Sequence, residues 1–411
     1  MATDPTTAGA PTAGDLVAAL LDELPGDFPD HQPGTRPLHS VGVGAIGWFR
    51  GTAAASRYSK AGHFTHEWTP VRVRFSNGNG QADPDGRLQV RGMAIRFYIG
   101  GTIVEDETGR EHAADGDAVV GRPRTGDWPI VPRDGAEIVT TDLICMSVPM
   151  FMADSAEAAW EFEKAYKPQP VRRPSLRARL KSLATMCPIP PQEYGVTSSG
   201  ALGALAYANS YPPSQGFVVE SSMLRLPASY ARTLYHAVHA FQLEDGDGCK
   251  RMVRFFVSPA AGVRAEGPPE PLLSPTAAAL LQPPVNAHGA SLHDRYLTEE
   301  LGRRLASGAA RFNVRIQIAD PWDDTRDPTK LWEMNRTRAM MGTITLNRLV
   351  ADQDSECEDL SFNPGRLVAG IAPSDDPVLA TRIAVYEESY RRRMMARGRE
   401  VSPAECPVMH H

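Results

Sequence analysis

The sequence constrains the fold most strongly between residues 39 and 100, where three successive segments have the character of β-strands. They read VGVGAIGWFRG, HFTHEWTPVRVRFSNG and RLQVRGMAIRFYIGG. Each segment either alternates apolar and polar residues or is a run of β-branched and aromatic residues, and each is bounded by Gly, Asn or Asp. This pattern predicts strands separated by turns. Three consecutive strands of this kind indicate an antiparallel sheet or barrel.

A second group of segments continues this pattern toward the C-terminus. HAVHAFQLED and CKRMVRFFVS are joined by DGDG as a predicted hairpin, and ARFNVRIQIAD and GTITLNRLV follow. LTEELGRRLASG predicts a helix with Thr298 as its N-cap and Gly308 just past its end. We therefore predict an α+β fold, an antiparallel β core with appended helices in one large domain.

The two ends of the chain differ from this core in composition and in predicted secondary structure. Residues 1–30 are predicted to form an N-terminal arm, with an amphipathic helix around DLVAALLDEL, that lies outside the active part. The core is predicted over 31–370, with the Pro-rich stretch 257–291 as a surface excursion, and a terminal helix and tail over 371–411.

Composition excludes several classes of function. The 411 residues are 42% apolar and carry a net charge of -6, which is typical of a soluble globular protein and gives no sign of nucleic-acid binding. No secretory signal and no run of membrane-helix length is found, so we expect a cytoplasmic protein without a membrane partner. Five cysteines, odd in number and without CxxC spacing, argue against disulfides and zinc.

Tyr386 lies four residues after Arg382 and seven before Arg393, so the three side chains share one face of a predicted helix. Tyrosine ordinarily titrates near pH ~10, and a phenolate that binds a metal would need a cation such as arginine one turn away. An exposed Arg and Tyr pair is the commoner arrangement, and the spacing alone favours it.

Two further groups of residues allow both a structural and a functional interpretation. His39 precedes Gly-rich sequence that could let backbone approach a flat cofactor, although the same glycines are typical of β-bulges. In VRVRFSNG, Arg72 and Arg74 point to one face of a strand and need anionic partners. Salt bridges to Asp or Glu are the commoner arrangement, and the carboxylates of a bound cofactor could also be the anionic partners.

Six motifs occur in order between residues 36 and 386: RPLHSVGVGAIGWF, VRFSNG, RGMAIRFY, DPTKLW, LSFNPGRLVAGIAPS and RIAVY. Together they closely resemble the haem catalase superfamily, over most of the chain beyond about residue 30. The short C-terminal part resembles its minimal, catalase-related branch. The resemblance implies a catalase-like antiparallel barrel, with haem b buried between the barrel and the helix that carries Tyr386.

The resemblance also implies a role for each candidate residue. Tyr386 is similar to the axial iron ligand, and Arg382 would hold it as a phenolate. His39 resembles the distal acid–base residue and Ser76 the serine that orients it. The propionate-binding arginines correspond to Arg36, Arg74 and Arg393, the last with Arg391 and Arg392 as rivals.

One departure from the family pattern concerns the distal pocket. The family places an asparagine where DLICMSVP places Met146, and a thioether cannot donate the hydrogen bond that an amide gives to peroxide. Dismutation should therefore suffer more than oxidation of an organic substrate. Gly78 stands where a bulky valine is usual, which predicts room for a larger molecule.

These features lead us to expect a haem peroxidase that uses hydrogen peroxide to oxidise a small organic substrate. A true catalase, an organic-hydroperoxide-rearranging enzyme of allene oxide synthase type, and a haem-binding module without turnover are the alternatives. The family forms dimers or tetramers, and the short arm favours a homodimer over an interlocked tetramer.

Overall fold

The computed structural model describes residues 13–23, 31–65, 67–78, 85–86, 89–105, 110–111, 129–166, 201–266 and 295–401. In this part of the chain the strands are β1 Gly42–Gly51, β2 Trp68–Asn77, β3 Arg91–Ile99, β4 Gly101–Glu105, β5 Arg110–Glu111, β6 Ile130–Pro132, β7 Val139–Met146, β8 Leu226–Pro227, β9 Tyr235–His236, β10 Phe241–Glu244, β11 Lys250–Pro259, β12 Ala265–Glu266, β13 Ala310–Ile318, β14 Arg338–Leu349 and β15 Ile371–Pro373. The α-helices are α1 Ala13–Glu23, α2 Ala156–Tyr166, α3 Ala201–Ser210, α4 Gln215–Ser222, α5 Tyr296–Ser307 and α6 Pro377–Ala396.

Eight of these strands form a closed antiparallel barrel in the order β13, β14, β1, β2, β3, β7, β9 and β11. The pairing of β11 with β13, from Val253 opposite Ile318 to Pro259 opposite Phe312, closes the ring. β10 and β15 extend the sheet outward from β11. The barrel confirms the predicted α+β fold, and closure removes the exposed edges that an open sheet would leave.

Alternation along each strand separates the barrel interior from its outer face. In β2, Val71, Val73 and Phe75 are fully buried in the main hydrophobic core. Arg72 and Arg74 alternate with them and therefore lie on the outer face. The predicted arginine face thus lies on the outside of the barrel, where Arg74 is buried and Arg72 is partly buried.

The glycines of β1 form a bulge at one position, as one of the two interpretations predicted, and make room for a side chain rather than a cofactor at another. The register between β1 and β14 shifts at Ile46 and Gly47, which is a β-bulge. At Gly42, by contrast, a Cβ would lie 2.5 Å from Cζ of Arg74, so this glycine makes room for the arginine.

The helices differ in detail from their predicted ends. α5 begins at Tyr296 with Arg295 as N-cap, so Thr298 lies inside the first turn and the prediction of Thr298 as N-cap is wrong. Gly308 follows the end of α5 as predicted. The predicted arm helix is α1, and its Asp22 forms an ion pair with Arg392 of α6 at 2.5 Å.

None of the helices in the described ranges combines the length and apolarity needed to cross a bilayer. Most of the predicted Pro-rich excursion, from residue 267 on, lies outside the described residues. The division at residues 30 and 370 remains a prediction.

Candidate active site

A cavity of about 240 Å³ lies between the outer face of the barrel and α6, with α1 and α2 completing its walls. All eight candidate residues from the sequence line this one cavity: Arg36, His39, Arg74, Ser76, Met146, Arg382, Tyr386 and Arg393. They come from positions up to 357 residues apart, and the barrel register and α6 bring them together.

A row of residues across three strands forms the floor beneath His39. Gly92 of β3 is opposite Ser76 of β2 on one side and opposite Met146 of β7 on the other. Residues directly opposite in an antiparallel pair share one face, so all three face the cavity. A Cβ at Gly92 would lie 2.8 Å from Nδ1 of His39, which shows that the imidazole rests on this glycine.

The hydrogen bonds of His39 hold its ring in place. Its Nδ1 lies 3.0 Å from Oγ of Ser76, as the sequence predicted for an orienting serine. Its backbone has a φ of 56°, in the left-handed region that non-glycine residues rarely adopt, and its N–H donates to the carbonyl of Gly78 at 3.1 Å. Strained backbone of this kind is concentrated at functional sites.

The charge state of His39 suits a proton acceptor. Burial, followed by the positive charges of Arg74 and Arg382, lowers the pKa of His39 to about 4, while a hydrogen bond to the Asn77 backbone acts in the opposite sense. The imidazole is therefore neutral at neutral pH. With its hydrogen on Nδ1, directed to Ser76, the other ring nitrogen keeps a lone pair for a substrate proton.

Gly78 does not provide the extra space that its position suggested. It is absent from the described residues that line the cavity. A Cβ there would instead lie 2.7 Å from the carbonyl oxygen of Val90. The expectation that Gly78 enlarges the pocket is therefore not supported, because its neighbour is backbone.

On the α6 wall, Arg382 donates a hydrogen bond from Nη2 to Oη of Tyr386 at 3.2 Å. The two residues are one helical turn apart, as the sequence indicated, and the guanidinium carbon lies 5.6 Å from the tyrosine ring centre. The phenolic oxygen thus has a permanent cation beside it, which is what a tyrosinate ligand requires.

Two residues that the sequence analysis missed extend this pair into a chain of hydrogen bonds. Arg382 donates from Nη1 to Nε2 of His239 at 2.6 Å, and His239 donates from Nδ1 to Oδ2 of Asp376 at 2.5 Å. Because arginine can only donate, Nε2 must accept and His239 is neutral. Burial is also the main reason that the pKa of His239 is lowered to about 4.

The signals for these two residues were present in the sequence but weak. His239 lies in the segment HAVHAF, where it resembles any strand histidine, and Asp376 reads as a helix N-cap. Asp376 is indeed that cap, since its Oδ1 accepts from the N–H groups of Val378 and Leu379. Only the fold reveals that its other oxygen faces His239.

The opposite end of the cavity is strongly cationic. Arg74 and Arg393 are 3% and 6% exposed, and Arg36 lies beside them. Nε of Arg393 is buried without a hydrogen-bond partner among the described residues. Burial and the charge of Arg36 lower the pKa of Arg393 well below its usual value, although Glu358 acts in the opposite sense. This end therefore carries unbalanced positive charge and an unused donor, which suit an anionic group.

The model of the catalase family matches residues 18–102 and 213–411. The chain belongs to the catalase family. Among its relatives, a catalase-related peroxidase of Mycolicibacterium paratuberculosis is 31% identical over 374 residues, which span 90% of this chain and 93% of that protein. A catalase-related peroxidase of Synechococcus elongatus is 24% identical over 389 residues, spanning 94% and 91% of the two chains.

Solved catalase structures share the fold. A bacterial catalase superposes with a TM-score of 0.62 at 21% sequence identity, over 96% of this chain and 63% of that chain. A fungal catalase gives the same TM-score at 18% identity. The match therefore spans nearly all of this catalase-family chain but about two thirds of those larger chains.

Membership of the catalase family implies a haem cofactor, and the cavity fits one. Catalases hold haem iron through a tyrosine, and Tyr386 with its arginine stands in one wall. The glycine and alanine at 92 and 94 leave the facing sheet flat, and the buried arginines offer donors to two carboxylates.

The N-terminal arm contributes to the site, contrary to expectation. Leu20 and Leu21 of α1 line the cavity, and both are buried. Leu21 packs in a small cluster with Leu38 and Val385. The prediction that the arm lies outside the active part is therefore wrong, because α1 forms part of the cavity wall.

Proposed function

We propose that the protein is a haem b-dependent peroxidase that reacts with hydrogen peroxide and oxidises a small organic substrate. The observation that carries this proposal is the convergence of the His39–Ser76 pair, the Tyr386–Arg382 pair and Met146 on one cavity. The catalase-related peroxidases among its relatives support the same conclusion.

When bound, haem supplies an iron at which the O–O bond of peroxide can break. The protein's own residues would then manage protons and charge. His39 accepts a proton from the incoming peroxide and returns it to the departing oxygen, and Ser76 keeps the ring in the tautomer that this requires. Arg382, oriented by His239, stabilises negative charge on the oxygen of Tyr386.

Met146 distinguishes this site from one built for dismutation. It lies across Gly92 from Ser76, on the row beneath His39. A thioether offers no hydrogen-bond donor to a second peroxide, whereas an asparagine amide does. We therefore infer that oxidation of an organic molecule is favoured over release of oxygen.

Replacing Met146 tests this inference. Met146→Asn restores an amide and is expected to raise oxygen evolution from peroxide by about tenfold, the worth of roughly one hydrogen bond of 1.4 kcal/mol. The haem-loaded protein would be measured with an oxygen electrode and, in parallel, by peroxide-dependent oxidation of a panel of phenols and amines.

Met146→Leu is the matched control, because it keeps the volume without adding a donor and should leave oxygen evolution low. Vigorous oxygen release by the unmodified protein would instead make it a true catalase. Rapid loss of a fatty-acid hydroperoxide without reductant would indicate the rearranging enzyme.

We expect the protein to reside in the cytoplasm and to form a homodimer, which fractionation and light scattering would check. The organic substrate should be small, because the cavity must also accommodate the cofactor.

A further inference from the structure

A carboxylate of the chain itself lies against the arginines at the cationic end of the cavity. Glu358 ends a π-helical turn, Asp354–Glu358, and forms ion pairs with Arg36 and Arg74. Its Oε1 accepts from Nε of Arg74 at 2.7 Å. Its side chain is 22% exposed, so most of it is withdrawn from water.

The backbone around Glu358 binds the same arginines. Arg393 donates to the carbonyl of Glu358 at 2.6 Å, and Arg36 donates to the carbonyl of Leu360 at 2.8 Å. One short segment therefore positions all three guanidinium groups. Burial alone would raise the pKa of Glu358, but Arg36 and Arg74 outweigh it and lower the value to about 2, so the carboxylate is ionised.

Charge counting shows what this arrangement lacks. Three guanidinium groups carry three positive charges and Glu358 carries one negative charge, which leaves two positive charges in a buried site. The neighbouring Arg397 and Arg399 do not change this count, because they are paired with Asp354 and Asp359. Buried charge is costly unless it is paired. A porphyrin with two ionised propionates brings the two missing negative charges.

We propose that Glu358 is the third carboxylate of the haem-propionate site and sets its charge balance, so that the site is matched to a tetrapyrrole with two ionised carboxylates. This inference rests on the proposed function in assuming that haem occupies the cavity. Glu358 acts through the arginines and is a positioning residue. We distinguish this electrostatic role, in which the negative charge of Glu358 matters, from a structural role, in which Glu358 only supports the local fold.

The electrostatic role and the structural role predict opposite signs for the coupling between Arg36→Gln and Glu358→Gln in the rate of haem release. In Arg36→Gln, two guanidinium groups face three carboxylates, and the site carries one excess negative charge. Adding Glu358→Gln restores neutrality and should strengthen haem retention. If Glu358 only supports the local structure, the second substitution adds damage to the first.

Release of haem from the full-length holoprotein to an excess of an apo-globin scavenger, followed by the Soret band, measures retention. We expect Arg36→Gln to release haem about tenfold faster than the unmodified protein, since one unbalanced charge in a partly buried site is worth roughly that factor. The double variant should release it at least about threefold more slowly than Arg36→Gln. Equal or faster release by the double variant would overturn the proposal.

A second measurement keeps the test decisive if Arg36→Gln does not fold. Haem dimethyl ester lacks both propionate charges, so Glu358→Gln raises the unbalanced charge from two to three. The added positive charge attracts the two propionates of ordinary haem but not the uncharged ester, so the ratio of the ester release rate to the haem release rate should be at least about threefold higher in Glu358→Gln than in the unmodified protein. Equal acceleration for both ligands would show a purely structural role.

Glu388→Gln is the matched control. Glu388 also pairs with two arginines, Arg391 and Arg392, and the pKa of its carboxyl is also lowered to about 2, mainly by its hydrogen bond from Arg391. Unlike Arg36 and Arg74, neither Arg391 nor Arg392 is among the described residues that line the cavity, so haem release should be unchanged. Holoprotein that behaves as expected but oxidises no organic substrate would refute the proposed function while leaving the role of Glu358 intact.

Discussion

Gly92→Ala adds a single methyl group to the floor beneath His39. The new Cβ would lie 2.6 Å from Oγ of Ser76 and 2.8 Å from Nδ1 of His39, where ordinary contact begins at 3.4 Å. The serine hydroxyl can rotate, but the imidazole must retreat by about 0.6 Å, the difference between 3.4 and 2.8 Å. Misplacement of a catalytic group by ~1 Å costs about 100-fold in rate, so we expect a loss between about 10- and 100-fold.

Stopped-flow measurement of the reaction of the haem-loaded variant with peroxide gives this rate directly. The free energy of unfolding should fall by no more than about 2.5 kcal/mol, because an overpacking cost of about 1–3 kcal/mol is partly offset by the gain of about 0.5–1 kcal/mol for replacing glycine. A rate that matches the unmodified protein would refute the view that His39 works from its position above Gly92.

Gly302→Ala serves as the control for Gly92→Ala. A Cβ at Gly302 of α5 would lie 3.5 Å from Cδ1 of Leu349, an ordinary contact, and Gly302 is not among the described residues that line the cavity. Alanine in a helix interior should stabilise the protein by about 1 kcal/mol and leave the peroxide reaction unchanged.

Buried ion pairs and histidines elsewhere in the protein should also respond to substitution or to pH. Asp142→Asn breaks a fully buried pair in which Arg96 donates to both carboxylate oxygens at 2.8 and 2.9 Å, and should lower the free energy of unfolding in urea by about 3–5 kcal/mol. Asp376→Asn keeps an oxygen that can cap α6 but turns an amide NH2 toward the buried Nδ1–H of His239, so stability should fall by about 1–3 kcal/mol; the iron reduction potential, measured by redox titration, should rise as the support of Tyr386 weakens. The free energy of unfolding should fall as pH drops from 6.5 toward 4. Burial lowers the pKa values of His39, His63, His236 and His239 to between about 3 and 4 in the folded protein, so in this range the unfolded chain binds protons that the folded protein does not. Urea unfolding across this pH range measures the effect, and a flat profile would contradict the lowered pKa values.

The strands could be predicted from sequence because each carries its signal locally. Alternation of Val71, Val73 and Phe75 with Arg72 and Arg74 marks a strand with two different faces, and the structure confirms it. Local pattern cannot say which face is the interior of a barrel, since that depends on closure between β11 and β13.

The candidate site was predicted where residues stand in recognisable motifs and missed where they do not. His39, Ser76 and Tyr386 lie within such motifs, and the cavity brings them together. His239 and Glu358 act through partners over 100 residues away in the sequence, so no local spacing of residues predicts their roles. The prediction that Gly78 enlarges the pocket failed because a missing side chain leaves space only where no backbone fills it.

Asp376 divides its two oxygens between different tasks: Oδ1 caps α6 and Oδ2 receives the hydrogen bond from His239. Its tolerance to substitution should therefore depend on what is selected. A library at position 376 sorted only for folded protein should retain Asp, Asn, Ser and Thr, since all four cap helices. The same library sorted for peroxide turnover should narrow toward Asp. The difference between the two residue distributions would measure, at one codon, how far chemistry rather than folding restricts this position.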